Sequence, residues 1–318
     1  SKDSLNWQPV AIPHDWAIYG PFDRSVDLQK VAVEQNGETQ ATWKTARSGG
    51  LPFIGKGFYK TTVIISEADL ALSHYLLFDG AMSRARVQVN GKFVGFWAYG
   101  YNSFHFPISH ALSAGENLIE VSLENLPESS RWYPGAGLYR NVHLLSANPV
   151  HIPVWGTFVT TPYVSAEYAT VNLKIKVDGF QKGDEFDLNT VIVDQNGKQV
   201  ATDTHHFKFY PGVDFAQNFM INAPALWSPE APALYSAVTK IVSAGKQLDS
   251  YTTRFGVRSV EFRAGKGFFL NGKQRKFRGV CNHHDLGPLG AAVNVAALRH
   301  QLDLLKDMGV DAIRTSQN

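Results

Sequence analysis

The sequence predicts a mostly β chain that closes on a short α/β segment. Three observations carry this. Short runs rich in Val, Ile, Phe and Tyr recur between turn signals over the first two-thirds, as in sandwiches. Four Asn-Gly pairs occur, and both residues tolerate the positive φ of a tight hairpin turn. After residue 257 the periodicity changes from strand-like to strand, helix, strand.

The composition supports a packed core and excludes intrinsic disorder. Of 318 residues 44% are apolar, 12% aromatic and 18% charged. The length implies two or three domains at roughly 100–200 residues each. Thirty basic residues against 28 acidic give a net charge of +2 with no long basic run, so a nucleic-acid partner is not expected. Cys281 is the sole cysteine, which excludes an intramolecular disulfide and a cysteine zinc cage. No apolar run approaches the roughly 18 residues of a membrane-spanning helix, so no membrane partner is expected.

The elements follow in order. Asn36-Gly37 has weak flanks and reads as a loop. Asn90-Gly91 joins strands at 84–89 and 92–96. A closing strand covers 141–145, and a boundary is expected near Asn148-Pro149. A new strand begins at 150–160, another covers 170–177, and Asn196-Gly197 joins strands at 190–194 and 198–201. The block to about Gly256 has the size and alternation of an immunoglobulin-like sandwich without its Cys-Trp-Cys hallmark. Residues 224–232, rich in proline, read as a surface loop. Asn271-Gly272 joins strands at 267–270 and 273–277, which run on into 278–280.

Asn294 can then cap a helix whose apolar positions are Leu298, Leu302, Leu305 and Met308, one helical face. Gly309 stands where a left-handed C′ residue is wanted. A second buried strand is expected at 310–313. Strand, helix and strand make a βαβ unit with parallel strands, and one such unit cannot close a core. The chain therefore reads as stopping inside a larger α/β domain. It starts at Ser1 without Met or a signal-like stretch, and the expectation is a chain cut at both ends.

In a (β/α)₈ barrel the chemistry lies at the C-terminal ends of the strands. After the first strand come Asn282, His283, His284 and Asp285; after the second come Arg314, Thr315, Ser316, Gln317 and Asn318. Both clusters fall at the same end. His283 and His284 are adjacent, so on extended backbone they point apart and make a poor pair of metal ligands; no metal is expected. His205-His206 in a strand reads as a solvated or core-satisfied pair. Aromatics at 97–101 read as core filling. Trp132-Tyr133-Pro134, in a Pro- and Gly-rich loop, could equally stack on sugar rings.

Several motifs, in order along the whole chain, resemble the glycoside hydrolases of family 2, the β-galactosidase and β-glucuronidase group. They are Pro13-His14-Asp15-Trp16, Gly57-Phe58-Tyr59, Phe78-Asp79-Gly80 and Val89-Asn90-Gly91. The long stretch from Arg131 to Arg140, Arg254-Phe255-Gly256-Val257-Arg258, the run from Gly279 to His284, and Ala312 to Ser316 complete the match. The forms Pro-His-Asp-Trp and His-His-Asp-Leu-Gly look most like β-galactosidases of gut Bacteroidetes type.

The resemblance implies a jelly-roll sugar-binding domain at 1–147, an immunoglobulin-like sandwich at 148–256, and a truncated (β/α)₈ barrel at 257–318. It implies retaining hydrolysis by two glutamates about 5 Å apart, both later in the barrel than this chain reaches. No catalytic residue is expected here, and the fragment itself should be inactive. By alignment, His283 contacts the hydroxyls of the glycone sugar and Arg314 supports the nucleophile. Asn282, Asp285, Gln317 and Asn318 complete the expected glycone subsite, with Arg131 and Trp132 at its rim. Gln317 stands where the family commonly has His, and it cannot become cationic.

The implied parent is an exo-β-glycosidase acting on terminal β-galactosides. Alternatives are a β-glucuronidase, a β-mannosidase, or a stand-alone carbohydrate-binding module. A β-linked oligosaccharide or galactoside is the expected partner, with no cofactor, in a periplasmic or extracytoplasmic setting. The uncovered barrel segment, from about residue 281 onward, is expected to be mobile, to associate with a second copy, or to fold its helix back on the immunoglobulin-like domain.

Overall fold

A computed structural model of the chain describes residues 6–20, 22–23, 25, 28–32, 37–44, 54–127 and 135–315. The chain divides into two compact units, one of residues Ser1–Ser146 with Arg278–Asn318, the other of Ala147–Phe277.

The first unit opens with a 3-10 turn at Trp16–Tyr19 and a short antiparallel pair, β1 (Gln29–Val31) and β2 (Thr42–Lys44). Then come β3 (Gly55–Ile65), β4 (Ser73–Phe78), β5 (Ala85–Val89), β6 (Lys92–Trp97), β7 (Phe104–Pro107), β8 (Gly115–Asn125) and β9 (Val142–Ala147). They form two antiparallel sheets, ordered β3-β8-β5-β6 and β7-β4-β9. Alternation explains the packing. In β5 Ala85, Val87 and Val89 are fully buried, and in β4 Leu76 and Phe78 join them. These meet Ile119, Val121 and Leu123 of β8 and Phe104 of β7 in one core, with Phe78 stacked on Phe104 at 4.8 Å.

The second unit contains β10 (Thr157–Val164), β11 (Tyr168–Ile175), β12 (Glu185–Val193), β13 (Gln199–Lys208), β14 (Phe215–Asn222), β15 (Tyr235–Ser243) and β16 (Lys246–Phe255). Sheets ordered β10-β11-β14 and β13-β12-β15-β16 give a seven-stranded immunoglobulin-like sandwich. No disulfide ties its sheets. Instead, buried Gln217 of β14 reaches the other sheet, accepting from the Thr190 hydroxyl at 2.6 Å and donating to the Leu188 carbonyl at 2.9 Å.

The Asn-Gly pairs behave in two ways. Asn90 and Gly91 both take positive φ, 51° and 74°, as do Asn271 and Gly272 at 50° and 75°. At the third pair only Gly197 does. The turn there starts earlier, with Gly197 N–H donating to the Asp194 carbonyl, and the strands continue through a bulge near Val193. Asn36 lies outside the described residues. A further tight turn, Ala244-Gly245, joins β15 to β16 and went unread because Ala rarely takes positive φ.

Residues 224–232 are irregular, yet not merely a surface loop. Pro224 is buried and Leu226 packs on the sandwich core. A meander of β17 (Val260–Arg263), β18 (Gly267–Leu270) and β19 (Lys273–Gln274) ends this unit. The sequence reading foresaw the β18–β19 turn but gave β19 too long a span. It missed β17, whose apolar Val260 and Phe262 are exposed.

The first unit resumes with β20 (Gly279–Asn282), α1 (Val295–Asp307) and β21 (Ala312–Thr315). The Asn294 side chain caps the helix by accepting Ala297 N–H at 3.0 Å, and Gly309 takes φ 81° just past its end. β20 and β21 pair in parallel, as expected. The second strand starts two residues later than the sequence indicates. Val310 N–H is still bonded to the Leu305 carbonyl of the helix, and Asp311 brackets Arg278 at the start of β20.

Candidate functional site

The βαβ unit brings the first expected cluster and the described part of the second, Arg314 and Thr315, to one end of a parallel pair. Asn282 is aligned with Thr315, and Cys281 with Arg314. Asn282 and Arg314 end up inside their strands, not in the loops beyond, because β20 runs on to Asn282 and β21 is displaced toward the C-terminus. Side chains alternate across a strand, so Cys281 and Arg314 share one face, Asn282 and Thr315 the other. Arg314 Nη1 donates to Cys281 Sγ at 3.5 Å. Gln317 and Asn318 lie outside the described residues, as do Arg131 and Trp132 of the expected rim.

His283, His284 and Asp285 occupy the start of the loop from β20 to α1 and are half-buried. The loop turns through Gly287–Leu289 and returns at Gly290, whose amide bonds to the Gly287 carbonyl at 3.0 Å. It then packs on the β-sandwich of the same unit. Ala291 is fully buried in a small cluster with Met82 and Tyr139. Val293 N–H donates to the Tyr139 carbonyl at 2.9 Å, and the Tyr101 ring stands edge-on to His284 at 5.5 Å.

The residue beneath this contact is Asp15. Its carboxylate is buried, with Oδ1 accepting Ala17 N–H at 2.9 Å and Ala136 N–H at 3.0 Å, and Oδ2 accepting Ala291 N–H at 2.8 Å. Neighbouring motif residues converge here. His14 Nδ1 meets the Tyr59 hydroxyl at 2.7 Å, and the Tyr139 hydroxyl donates to the Gly100 carbonyl at 2.7 Å. Burial raises the Tyr59 phenol above its ordinary range and pushes Tyr139 up to about 12; it lowers the His14 imidazole.

Sequence reasoning passed over Asp15 and Tyr101. Asp15 stood inside a motif with nothing local to mark its long-range bond. The aromatic run was read as core, which holds for Trp97, stacked on Phe104 at 5.5 Å. It does not hold for Tyr99, which is 50% exposed, or for Tyr101, which turns to His284. His205 and His206 are exposed on β13, with His206 Nδ1 on Asp187 Oδ1 at 2.8 Å. Among the described residues no group of three or more His, Cys, Asp or Glu is placed to hold a metal ion. None of their helices is long and apolar enough to cross a membrane.

With this fold and loop in view, the comparisons define the class. Residues 8–148 match the family model described as glycosyl hydrolases family 2, sugar binding domain. Residues 150–258 match glycosyl hydrolases family 2, and residues 260–317 match its TIM barrel domain. The chain belongs to glycosyl hydrolase family 2. It is 36% identical to the β-galactosidase BoGH2A of Bacteroides ovatus, over 98% of this chain and 35% of that protein. It is 30% identical to a β-glucuronidase of Bacteroides fragilis, over 96% of this chain and 46% of that one. A solved family 2 member from Bacteroides cellulosilyticus superposes with a TM-score of 0.87 at 33% identity, covering 99% of this chain and 40% of its own. The chain thus spans less than half the length of these relatives, over their N-terminal portion.

Proposed function

We propose that this chain is the non-catalytic front end of a retaining exo-β-glycosidase that hydrolyses terminal β-galactosides. The observation that carries the reading is the order of three family 2 matches over 8–148, 150–258 and 260–317, the last ending on the βαβ unit. It supports a three-part division at 1–147, 148–256 and 257–318. The β-galactosidase of Bacteroides ovatus and a putative β-glucuronidase of Formosa agariphila are both 36% identical to the chain, so identity alone does not choose the sugar. The Pro13-His14-Asp15-Trp16 and His283-His284-Asp285-Leu286-Gly287 forms support galactosides, with glucuronides as the second reading.

Retaining hydrolysis needs two carboxyl groups about 5–5.5 Å apart. In the described part of the βαβ segment Asp303 and Asp307 lie on α1, and Asp311 is bonded to Arg278 at the opposite end of the strands. Asp285 alone follows a strand end. His283, Asn282, Asp285 and Arg314, with Gln317 and Asn318, would then hold the glycone without attacking it, with Arg131 and Trp132 at the rim. The test is turnover of nitrophenyl β-galactoside and β-glucuronide by this chain and by a longer chain that completes the barrel. Activity on the galactoside from the longer chain alone is expected. Robust hydrolysis by this chain would overturn the reading, and preference for the glucuronide would change the sugar.

A further inference from the structure

We infer that Asp15 is a positioning residue for the candidate glycone subsite: its buried carboxylate sets the register of the loop carrying His283, His284 and Asp285 against the β-sandwich. The inference rests on the reading of that loop as part of a sugar site.

The two carboxylate oxygens have separate tasks. Oδ1 caps the 3-10 turn through Ala17 N–H and holds Ala136 N–H, both within the sandwich. A purely local cap would need no more than this. Oδ2 takes Ala291 N–H at 2.8 Å, 276 positions away in sequence. A carboxylate accepting backbone amides out of water makes stronger bonds than a neutral acceptor.

The approach is close on both sides. A Cβ at Gly290, φ 61°, would lie 2.4 Å from Asp15 Oδ2, and a Cβ at Gly135, φ 69°, would lie 2.2 Å from the Ala291 methyl. Glycine at 290 and at 135 leaves the room in which Ala291 N–H reaches the carboxylate. The sandwich holds the loop at two further points, Val293 on the Tyr139 carbonyl and His284 against the Tyr101 ring. The stretch between the end of β20 and the start of α1 is therefore fixed from outside the barrel segment. The orientation of His283 and His284 follows from where Ala291 is pinned.

Asp15→Asn separates the two tasks. The amide oxygen can keep Ala17 and Ala136, while the amide nitrogen sets a donor against Ala291 N–H. Amide hydrogen exchange and imidazole NMR of the whole chain read the result without any sugar, so this outcome is independent of the glycosidase assay. Ala291 and its loop neighbours should exchange about tenfold faster or more, the His283 and His284 ring resonances should shift, and β5 and β8 should keep their protection. Unchanged Ala291 exchange, unshifted rings, or equal loss of protection across the sandwich would each overturn the inference. Gly290→Ala approaches the same contact from the loop and should give the same loop-confined loss, which keeps the test open if Asp15→Asn does not fold.

Discussion

Asp15 Oδ2 accepts the backbone N–H of Ala291 at 2.8 Å, joining a motif near the start of the chain to the loop that follows the first barrel strand. The barrel segment and the first β-sandwich form one compact unit, although residues Ala147–Phe277 lie between them in sequence. The bond also sets the terms of the first prediction. Asp15→Ala removes the acceptor of three amides, those of Ala17, Ala136 and Ala291. Each buried donor left without a partner costs about 1–3 kcal/mol, so three give a loss of roughly 3–9 kcal/mol, larger than that of Asp15→Asn. Urea denaturation of both variants checks this; a loss under 1 kcal/mol for Asp15→Ala would mean that water replaces the carboxylate.

Gly57 should tolerate no side chain. It lies under the Trp16 ring, and a Cβ there would sit 2.3 Å from a ring carbon. Its φ is ordinary, so the cost of Gly57→Ala is steric alone. Overpacking of this kind costs about 1–3 kcal/mol and should displace Trp16, which a shift in tryptophan emission would report. A fully stable variant with unchanged emission would contradict the packing.

Acidification should weaken the first unit through two histidines. Burial holds His14 below its ordinary value of 6.5, against a smaller opposing pull from Asp15, and burial lowers His105 likewise. The unfolded chain then binds these protons more readily than the folded one. The stabilisation is complete above about pH 6.5 and is lost as pH falls from there through the folded values. Unfolding free energies measured between pH 7.5 and 5 should decline less in His14→Gln than in the parent; identical slopes would remove His14 from the account.

Asn90 and Asn196 were indistinguishable in sequence, and their replacement should not be. Asn90 takes φ 51°, its amide donates to the Ala111 carbonyl and Asn117, and its oxygen accepts Leu118 N–H. Asn90→Ala should cost about 2 kcal/mol or more. Asn196 is exposed without positive φ, so Asn196→Ala should fall within about 0.5 kcal/mol of the parent. Equal costs at the two sites would show the turn geometry to be misassigned.

That contrast marks how far the sequence could be read. Period-two alternation made both sandwiches legible, because β5, β11 and β12 bury every second side chain. Helical spacing with Asn294 and Gly309 at the ends made α1 legible. Turn type at Asn196 was not, because it depends on a bulge set by the neighbouring strand. β17 was not, because its apolar side chains face outward. At the candidate site the loop holding His283 to Asp285 was visible as a strand end, whereas Asp15 and Tyr101 act across chain distances that no local pattern encodes.

The last prediction concerns the outer face of the βαβ unit. The helix α1 has no fully buried residue. Leu302, Leu304 and Met308 are 41%, 51% and 74% exposed, and Ile313 of β21 is 41% exposed. The expected apolar stripe is thus only partly covered, with Leu298 and Leu305 half-buried and Leu302 and Met308 exposed. Exposed apolar surface of this kind favours association or fraying at about 25 cal/mol per Å² covered. The chain should therefore self-associate with rising concentration in sedimentation experiments, and Leu304→Lys with Met308→Glu should lower the average mass. In the dilute monomer, residues 295–315 should exchange their amides faster than β5 and β8. A proven monomer in which α1 is as protected as the sandwich core would contradict the prediction, because the open apolar side chains would then cost the segment nothing.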